Sequence, residues 1–269
     1  MSIYFHHKTS DQIAKAGEED TMILIPVGQI EEHGFHLPLE TDTIIARETS
    51  RIVAEEIRSE IPVLVLPTVW MGYSVQQVGK WPGLITFREP ETMIQMVYDI
   101  LESLIKNGFK KMVFINAHGN NPAILELACR KIGSDHGVFP AVTYVLGMSK
   151  GVGPKVRQSV EGGCGGHAGE EETALMLHLA PELVSMDRAS EKDIVQYHTR
   201  FFPGDIYSEI SDKVSGIYWS TWGVVNSESG VYGDPTAASA ETGRLLFKEI
   251  RRNYYDFLKE YYKHNQSQQ

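Results

Sequence analysis

Met22-Ile23-Leu24-Ile25-Pro26-Val27-Gly28-Gln29-Ile30-Glu31-Glu32-His33-Gly34-Phe35-His36-Leu37-Pro38 decides how the rest of the chain is read. Its first six residues are an unbroken apolar run, which suits a strand covered on both faces and therefore a parallel sheet. Gly28 ends the run, and carboxylates and imidazoles follow at once. Such groups behind a core strand suit a cation, because carboxylate oxygens and neutral imidazole nitrogens are ligands that zinc, manganese and iron accept. Glu31 and His33 are two apart, so in extended chain their side chains share a face. Gly34 permits a sharp turn, and Asp42 arrives where the next helix starts. Asp42 or Thr41 could equally cap that helix.

Outward from this stretch, strand and helix patterns alternate. A short helix is expected at Ser10 to Glu18, then the strand Met22 to Val27, a helix Thr43 to Ile61 stopped by Pro62, and a strand at Val63 to Pro67. A helix Pro90 to Asn107 precedes a third strand, Lys111 to Asn116. A helix from about Ala123 to Ile132 and a strand Val138 to Val145 complete the alternation. This order predicts an α/β fold, a three-layer sandwich with a mostly parallel sheet. Glu170 to Leu179 and Ala237 to Tyr262 read as further helices. Residues 183–220 are expected to hold short strands and turns, Val224 to Asp234 a turn-rich loop, and Asn265 to Gln269 a frayed tail. No linker or internal repeat interrupts the pattern, so residues 1–269 are expected to form one domain.

Bulk properties narrow the function. The chain has 269 residues, 42% hydrophobic and 22% charged, an ordinary globular balance. Its formal net charge of -10 argues against broad attraction to nucleic acid or anionic lipid. Two cysteines, Cys129 and Cys164, make no disulfide framework or zinc ribbon, and Cys129 reads as a small core residue. No stretch has the length of a signal peptide or membrane span, so a cytoplasmic protein is expected.

In a parallel sheet ligands bind beyond the C-terminal strand ends. Glu31, His33 and His36 follow the first strand there, and Asn116-Ala117-His118-Gly119-Asn120-Asn121 follows the third. Gly166-His167-Ala168-Gly169-Glu170-Glu171-Glu172-Thr173 opens a later helix. Any one of these histidines alone reads as a satisfied buried group; their recurrence in three glycine-bearing loops points to a shared site. Trp70, Tyr73 and Trp81 lie in a Gly-rich loop and either stack on a flat substrate or belong to the core. No Gly-x-Gly-x-x-Gly or Walker lysine supports a nucleotide site, and the acidic helix start at Glu170 disfavours phosphate. A catalytically inert metal-binding α/β protein is the remaining rival.

The Pro26-Val27-Gly28 to Pro38 stretch with Asp42, the Asn116 to Asn121 stretch and the Gly166 to Thr173 stretch together resemble three motifs of the creatininase (creatinine amidohydrolase) family. Gly230-Val231-Tyr232-Gly233-Asp234-Pro235 resembles a late family loop, so the likeness runs in order over residues 20–245. The resemblance implies a two-ion site of Zn, Mn or Fe held by Glu31, His33, Asp42, His118 and Glu172, with Asp42 bridging. It implies His167 and Glu172 as catalytic groups, His167 moving protons and Glu172 serving as ligand, base or both. His36 is expected to orient the loop. It implies a small-molecule substrate, opening of a cyclic amide or related carbonyl compound, and a homo-oligomer, a hexamer by resemblance. Cleavage of a cyclic diketone derived from inositol is the alternative. The chain departs from creatininase at Asn120, where a glutamate is usual, and near Ser74, where relatives often carry a His and this chain has Gln76-Gln77.

Overall fold

The computed structural model describes residues 2–160, 166–190, 201, 207 and 227–264. Four strands form one parallel sheet in the order β2-β1-β3-β4. They are β1 (Met22–Val27), β2 (Val63–Val65), β3 (Met112–Asn116) and β4 (Ala141–Tyr144). The helices are α1 (Ser10–Glu18), α2 (Thr41–Ile57), α3 (Pro90–Lys106), α4 (Asn121–His136), the single turn α5 (Gly153–Val156), α6 (Glu170–Leu179) and α7 (Ala240–His264).

The unbroken apolar strands divide their side chains between two cores, as a period of two requires. Met22 and Leu24 of β1, with Val113 and Ile115 of β3, join the larger core under α2, α6 and α7. Ile23, Ile25 and Val27, with Met112 and Phe114, face α3 and α4 and meet Cys129 there. The sheet is therefore the middle of three layers, and β1 is buried along its whole length. Burial pushes the Cys129 thiol up to about 12, which suits its place as a small core residue.

Element existence and order follow the sequence expectations, while several ends move. The first long helix starts at Thr41 and ends at Ile57, one turn before Pro62, because a residue preceding proline is disfavoured in helical conformation. The fourth strand is confined to Ala141–Tyr144, since Pro140 has no N–H to give the ladder. The α4 helix begins at Asn121 with Pro122 in its first turn and runs on to His136. The last helix starts at Ala240 rather than Ala237, because Pro235–Ala237 forms a 3-10 turn capped by Asp234. Residues 181–189 hold two 3-10 turns, Pro181–Leu183 and Met186–Arg188, rather than strands. Cys164, the tail 265–269 and most of 191–226 lie outside the described residues.

The topology places the site. After β1 the chain crosses to β2 on one side and returns to β3 on the other. The strand order reverses between β1 and β3, and loops leaving such neighbours diverge to form a crevice. Val27 and Asn116 are paired across that boundary, so the residues after them start from adjacent points. Gly28 lets α2 come close: a Cβ there would lie 2.5 Å from the Thr43 backbone. This approach carries the start of α2, and Asp42 with it, against the loop that follows β1.

Candidate metal centre

Glu31, His33, Asp42, His118, His167 and Glu172 come together at this edge, all buried. The loop after β1 supplies Glu31 and His33, the first turn of α2 supplies Asp42, the loop after β3 supplies His118, and α6 with the turn before it supplies Glu172 and His167. Gly34 turns the first loop with φ of 70°, in the left-handed region that glycine occupies without strain.

Asp42 does not cap its helix: Glu40 is the cap residue and no side-chain cap bond forms. Instead its two oxygens point to different imidazoles. Oδ1 lies 3.4 Å from His33 Nε2, and Oδ2 lies 3.0 Å from His118 Nδ1. His118 Nδ1 also lies 3.1 Å from Glu31 Oε1, and His33 Nε2 lies 3.8 Å from Glu172 Oε2. Two triads result, Glu31–Asp42–His118 and His33–Asp42–Glu172, each with its ligand atoms within 4.8 Å of one another. Glu31, His33 and His167 form a third such group.

The donor set fits a cation. His33 Nδ1 donates to the Glu31 carbonyl at 3.3 Å, which leaves Nε2 as the nitrogen turned towards the centre. That atom is buried and has no hydrogen-bond partner among the described residues. It faces two carboxylate oxygens at distances too long for hydrogen bonds. Bonds of about 2.1 Å at a tetrahedral angle would set ligand atoms about 3.4 Å apart, close to the His33–Asp42 separation. A backbone carbonyl that fixes a histidine tautomer is also how metal-binding imidazoles are oriented.

Without a cation the cluster holds itself together by mutual charge. Burial alone would lower the His118 pKa, but Glu31 and Asp42 outweigh it and raise the imidazole well above its usual value. Burial likewise opposes His33, and Asp42 and Glu172 raise it. His167 is pushed up to about 10: burial works against the charge, and the hydrogen bond to Glu32 with the carboxylates of Glu31 and Glu172 prevails. Asp42 is held well below the carboxylate range by His33 and His118 despite its burial. Glu172 is raised, foremost by burial.

Residues around the centre fix its members. His167 Nε2 donates to the Glu32 carbonyl at 2.6 Å and lies 3.5 Å from Glu32 Oε1; its Nδ1 is 3.6 Å from Glu31 Oε1. The Ala168 amide donates to Glu172 Oε2 at 2.6 Å. Ser74 Oγ donates to Glu31 Oε2 at 3.0 Å, and Asn120 Nδ2 reaches Ser74 Oγ at 3.3 Å. His36 stands apart from the triads and pairs with Thr173 Oγ1 at 2.9 Å, tying the first loop to α6. Burial, then the neighbouring His33 and His167, push it down to about 4, so it is neutral at ordinary pH.

Two features escaped the sequence reading. Glu32 sits inside the quoted motif but had no role there; both its oxygens are buried without a hydrogen bond among the described residues, beside the His167 ring. Ser74 lay in a loop read only as pocket lining. Trp70 is 48% exposed, so it is not a core residue. The acidic start of α6 also divides its work. Glu170 accepts from the Gln158 and Ser159 amides and Glu171 from Ser149 Oγ at 2.9 Å, which leaves only Glu172 facing the centre.

The sequence and the fold have counterparts. The creatinine amidohydrolase family model matches residues 6–258. The mycofactocin precursor peptide peptidase of Mycobacterium tuberculosis (strain ATCC 25618 / H37Rv) is 31% identical over 84% of this chain and 79% of its own. The 3-dehydro-scyllo-inosose hydrolase of Thermotoga maritima is 26% identical over 90% of this chain and 78% of its own. Among solved structures, the fold superimposes on creatininase Mn with a TM-score of 0.75, at 24% identity and over 97% of this chain and 98% of that one. No helix among the described residues is long and apolar enough to cross a membrane. The family match over nearly the whole length, the shared fold and the hydrolase relatives together make this chain a member of the creatininase family and a hydrolase.

Proposed function

We propose that residues 1–269 form one metal-dependent hydrolase unit that cleaves an amide-type C–N bond in a small molecule. The observation that carries this reading is the division of Asp42, one oxygen towards His33 and the other towards His118. On this reading Glu31, Asp42 and His118 hold one divalent cation, and His33, Asp42 and Glu172 hold a second, with Zn, Mn or Fe as the candidates. The bound ions supply Lewis acidity, which acidifies water towards neutrality and polarises a carbonyl.

The chain's own groups do the rest. Asp42 bridges. Ser74 holds Glu31 Oε2 and leaves Oε1 towards His118, while the Ala168 amide steadies Glu172 Oε2, the oxygen that faces His33. His167, tethered through Nε2, carries a proton between the attacking water and the leaving nitrogen from its Nδ1 side. Glu172 is the second candidate for that proton. The amide is favoured over other carbonyls because the family's namesake and the 31%-identical peptidase are both described by amide cleavage. A cyclic diketone derived from inositol is the second reading, supported by the Thermotoga relative and by Asn120, a weak neutral ligand where creatininase has a carboxylate. A homo-oligomer, by family resemblance a hexamer, is part of the proposal.

Purified protein stripped of metal and reloaded with Zn, Mn or Fe tests this against creatinine and other cyclic amides, short peptides, formamides and keto-inositols. Turnover of an amide after reloading, absent before it, is expected. Turnover of keto-inositols alone would move the assignment to the second reading, and a protein that takes up no metal would end both.

A further inference from the structure

Tyr144 is a polar side chain that the reading above leaves without a task. It ends β4 in register with Asn116, two residues before His118. A Cβ on Gly119 would lie 3.8 Å from its hydroxyl, so the phenol oxygen stands beside the His118-Gly119-Asn120 turn. The ring is half-buried and packs on the larger core. The charges acting on the hydroxyl are the carboxylates of Glu172, Glu171, Asp42 and Glu31, three of them members of the centre.

Its hydroxyl has no hydrogen-bond partner among the described residues. Tyr254, by contrast, meets Thr143 Oγ1 at 2.8 Å, and Tyr207 meets Ser149 Oγ at 2.6 Å. A tyrosine hydroxyl set into a protein usually finds a partner. Other donors at the centre are engaged: Ser74 Oγ on Glu31, Asn120 Nδ2 on Ser74, and the Ala168 amide on Glu172. A free donor beside the turn that carries His118 is placed to meet something that enters from outside.

We infer that Tyr144 is a catalytic residue whose hydroxyl donates a hydrogen bond to the oxygen of the attacked carbonyl. The inference rests on the hydrolytic reading of the centre. As the carbonyl carbon becomes tetrahedral, negative charge gathers on that oxygen, and a donor already in place stabilises it more than it stabilises the substrate. No proton is transferred: the phenol keeps its hydrogen throughout, so it does not compete with His167. Glycine at 119 leaves the space beside the hydroxyl open to the bound molecule.

The test uses full-length zinc-loaded protein and the variant Tyr144→Phe, with acetohydroxamate as a probe that binds a metal through a carbonyl-type oxygen. Ethanethiol, which binds through sulfur and is a poor acceptor, is the control. Metal content and thermal midpoint of the variant report on its fold. Acetohydroxamate is expected to bind the variant about tenfold more weakly, the loss of one good hydrogen bond, with ethanethiol affinity and zinc content unchanged. Equal hydroxamate affinity in both proteins would overturn the role of Tyr144 while leaving the hydrolytic reading intact. A parallel loss for both probes would also overturn it, by showing that the phenol only shapes the site. Wild-type protein that holds zinc but binds neither probe would remove the hydrolytic reading and this inference with it.

Discussion

His33 Nε2 lies 3.4 Å from Asp42 Oδ1, both groups buried, with His33 tethered through its other nitrogen. An imidazole and a carboxylate this close without a hydrogen bond are poised for a third body. Burying several charges in one place costs several kcal/mol per ion unless they are compensated. A divalent cation between them offers that compensation, and Asp42 is the one residue common to both triads. Asp42→Asn is therefore expected to reduce metal from two ions to fewer than one per chain and to lower kcat/KM by about a thousandfold or more. Elemental analysis of the dialysed variant beside wild type checks this. Full metal content in the variant would remove Asp42 from the centre.

Metal uptake is expected to release protons. In the metal-free protein the carboxylates raise His118 and His33 above their ordinary values, so each holds its proton more tightly than a free imidazole and a cation must displace it. Affinity should fall as pH falls from about 8 to 6, and calorimetry in buffers of different ionisation heat should count at least one proton released per ion. The same shifts set the stability of the metal-free protein. A histidine whose pKa rises on folding stabilises fully below its unfolded value, near 6.5. For His167, raised to about 10, that contribution is lost as pH climbs from about 6.5 to 10. Metal-free protein should thus melt earlier at pH 9 than at pH 6.5.

Glu32 is expected to act through His167. Its carboxylate stands 3.5 Å from the Nε2 that its own carbonyl already holds, an arrangement that favours the charged imidazole. Glu32→Gln keeps the shape and the carbonyl but removes the charge. It should lower kcat by about 10- to 100-fold with metal content and KM little changed, and Glu32→Asp should recover part of the loss. A Gln variant as active as wild type would leave Glu32 a filler of space under the 229–233 loop.

Glu171 makes a different forecast from its neighbour Glu172. It ties α6 to Ser149 and Tyr207, away from the triads. Glu171→Ala should cost about 2 kcal/mol through the stranded donors, which corresponds to a thermal midpoint lower by about 4 to 8 °C for a chain of this size. Metal affinity should stay the same. Differential scanning calorimetry and a metal titration of the one variant separate the two effects.

These contrasts mark what the chain gives away in one dimension. The continuous apolar runs at β1 and β3 announced a covered parallel sheet, because only strands buried on both faces are apolar at every position. The ligand residues were visible because they stand immediately after those strands or open a helix, where spacing constrains direction. Asp42 could not be told from a cap until the helix start was seen, since a carboxylate in a first turn serves either purpose. Glu170, Glu171 and Glu172 look alike as a run, yet helical rotation sends each to a different neighbour. Glu32 and Ser74 were not legible as parts of the site. Their partners, His167 and Glu31, lie 135 and 43 residues away, and no local pattern encodes contacts of that range. Element ends shifted where Pro62, Pro140 and Pro235 overruled apolar periodicity.

The most direct measurement is the anomalous scattering of a crystal grown with excess zinc, collected on both sides of the zinc edge. Two peaks about 3.5–4 Å apart are predicted, with Asp42 spanning them, Glu31 and His118 on one, and His33 and Glu172 on the other. Peaks confined to surface side chains, with His33 and Asp42 still facing each other across an empty gap, would contradict the account.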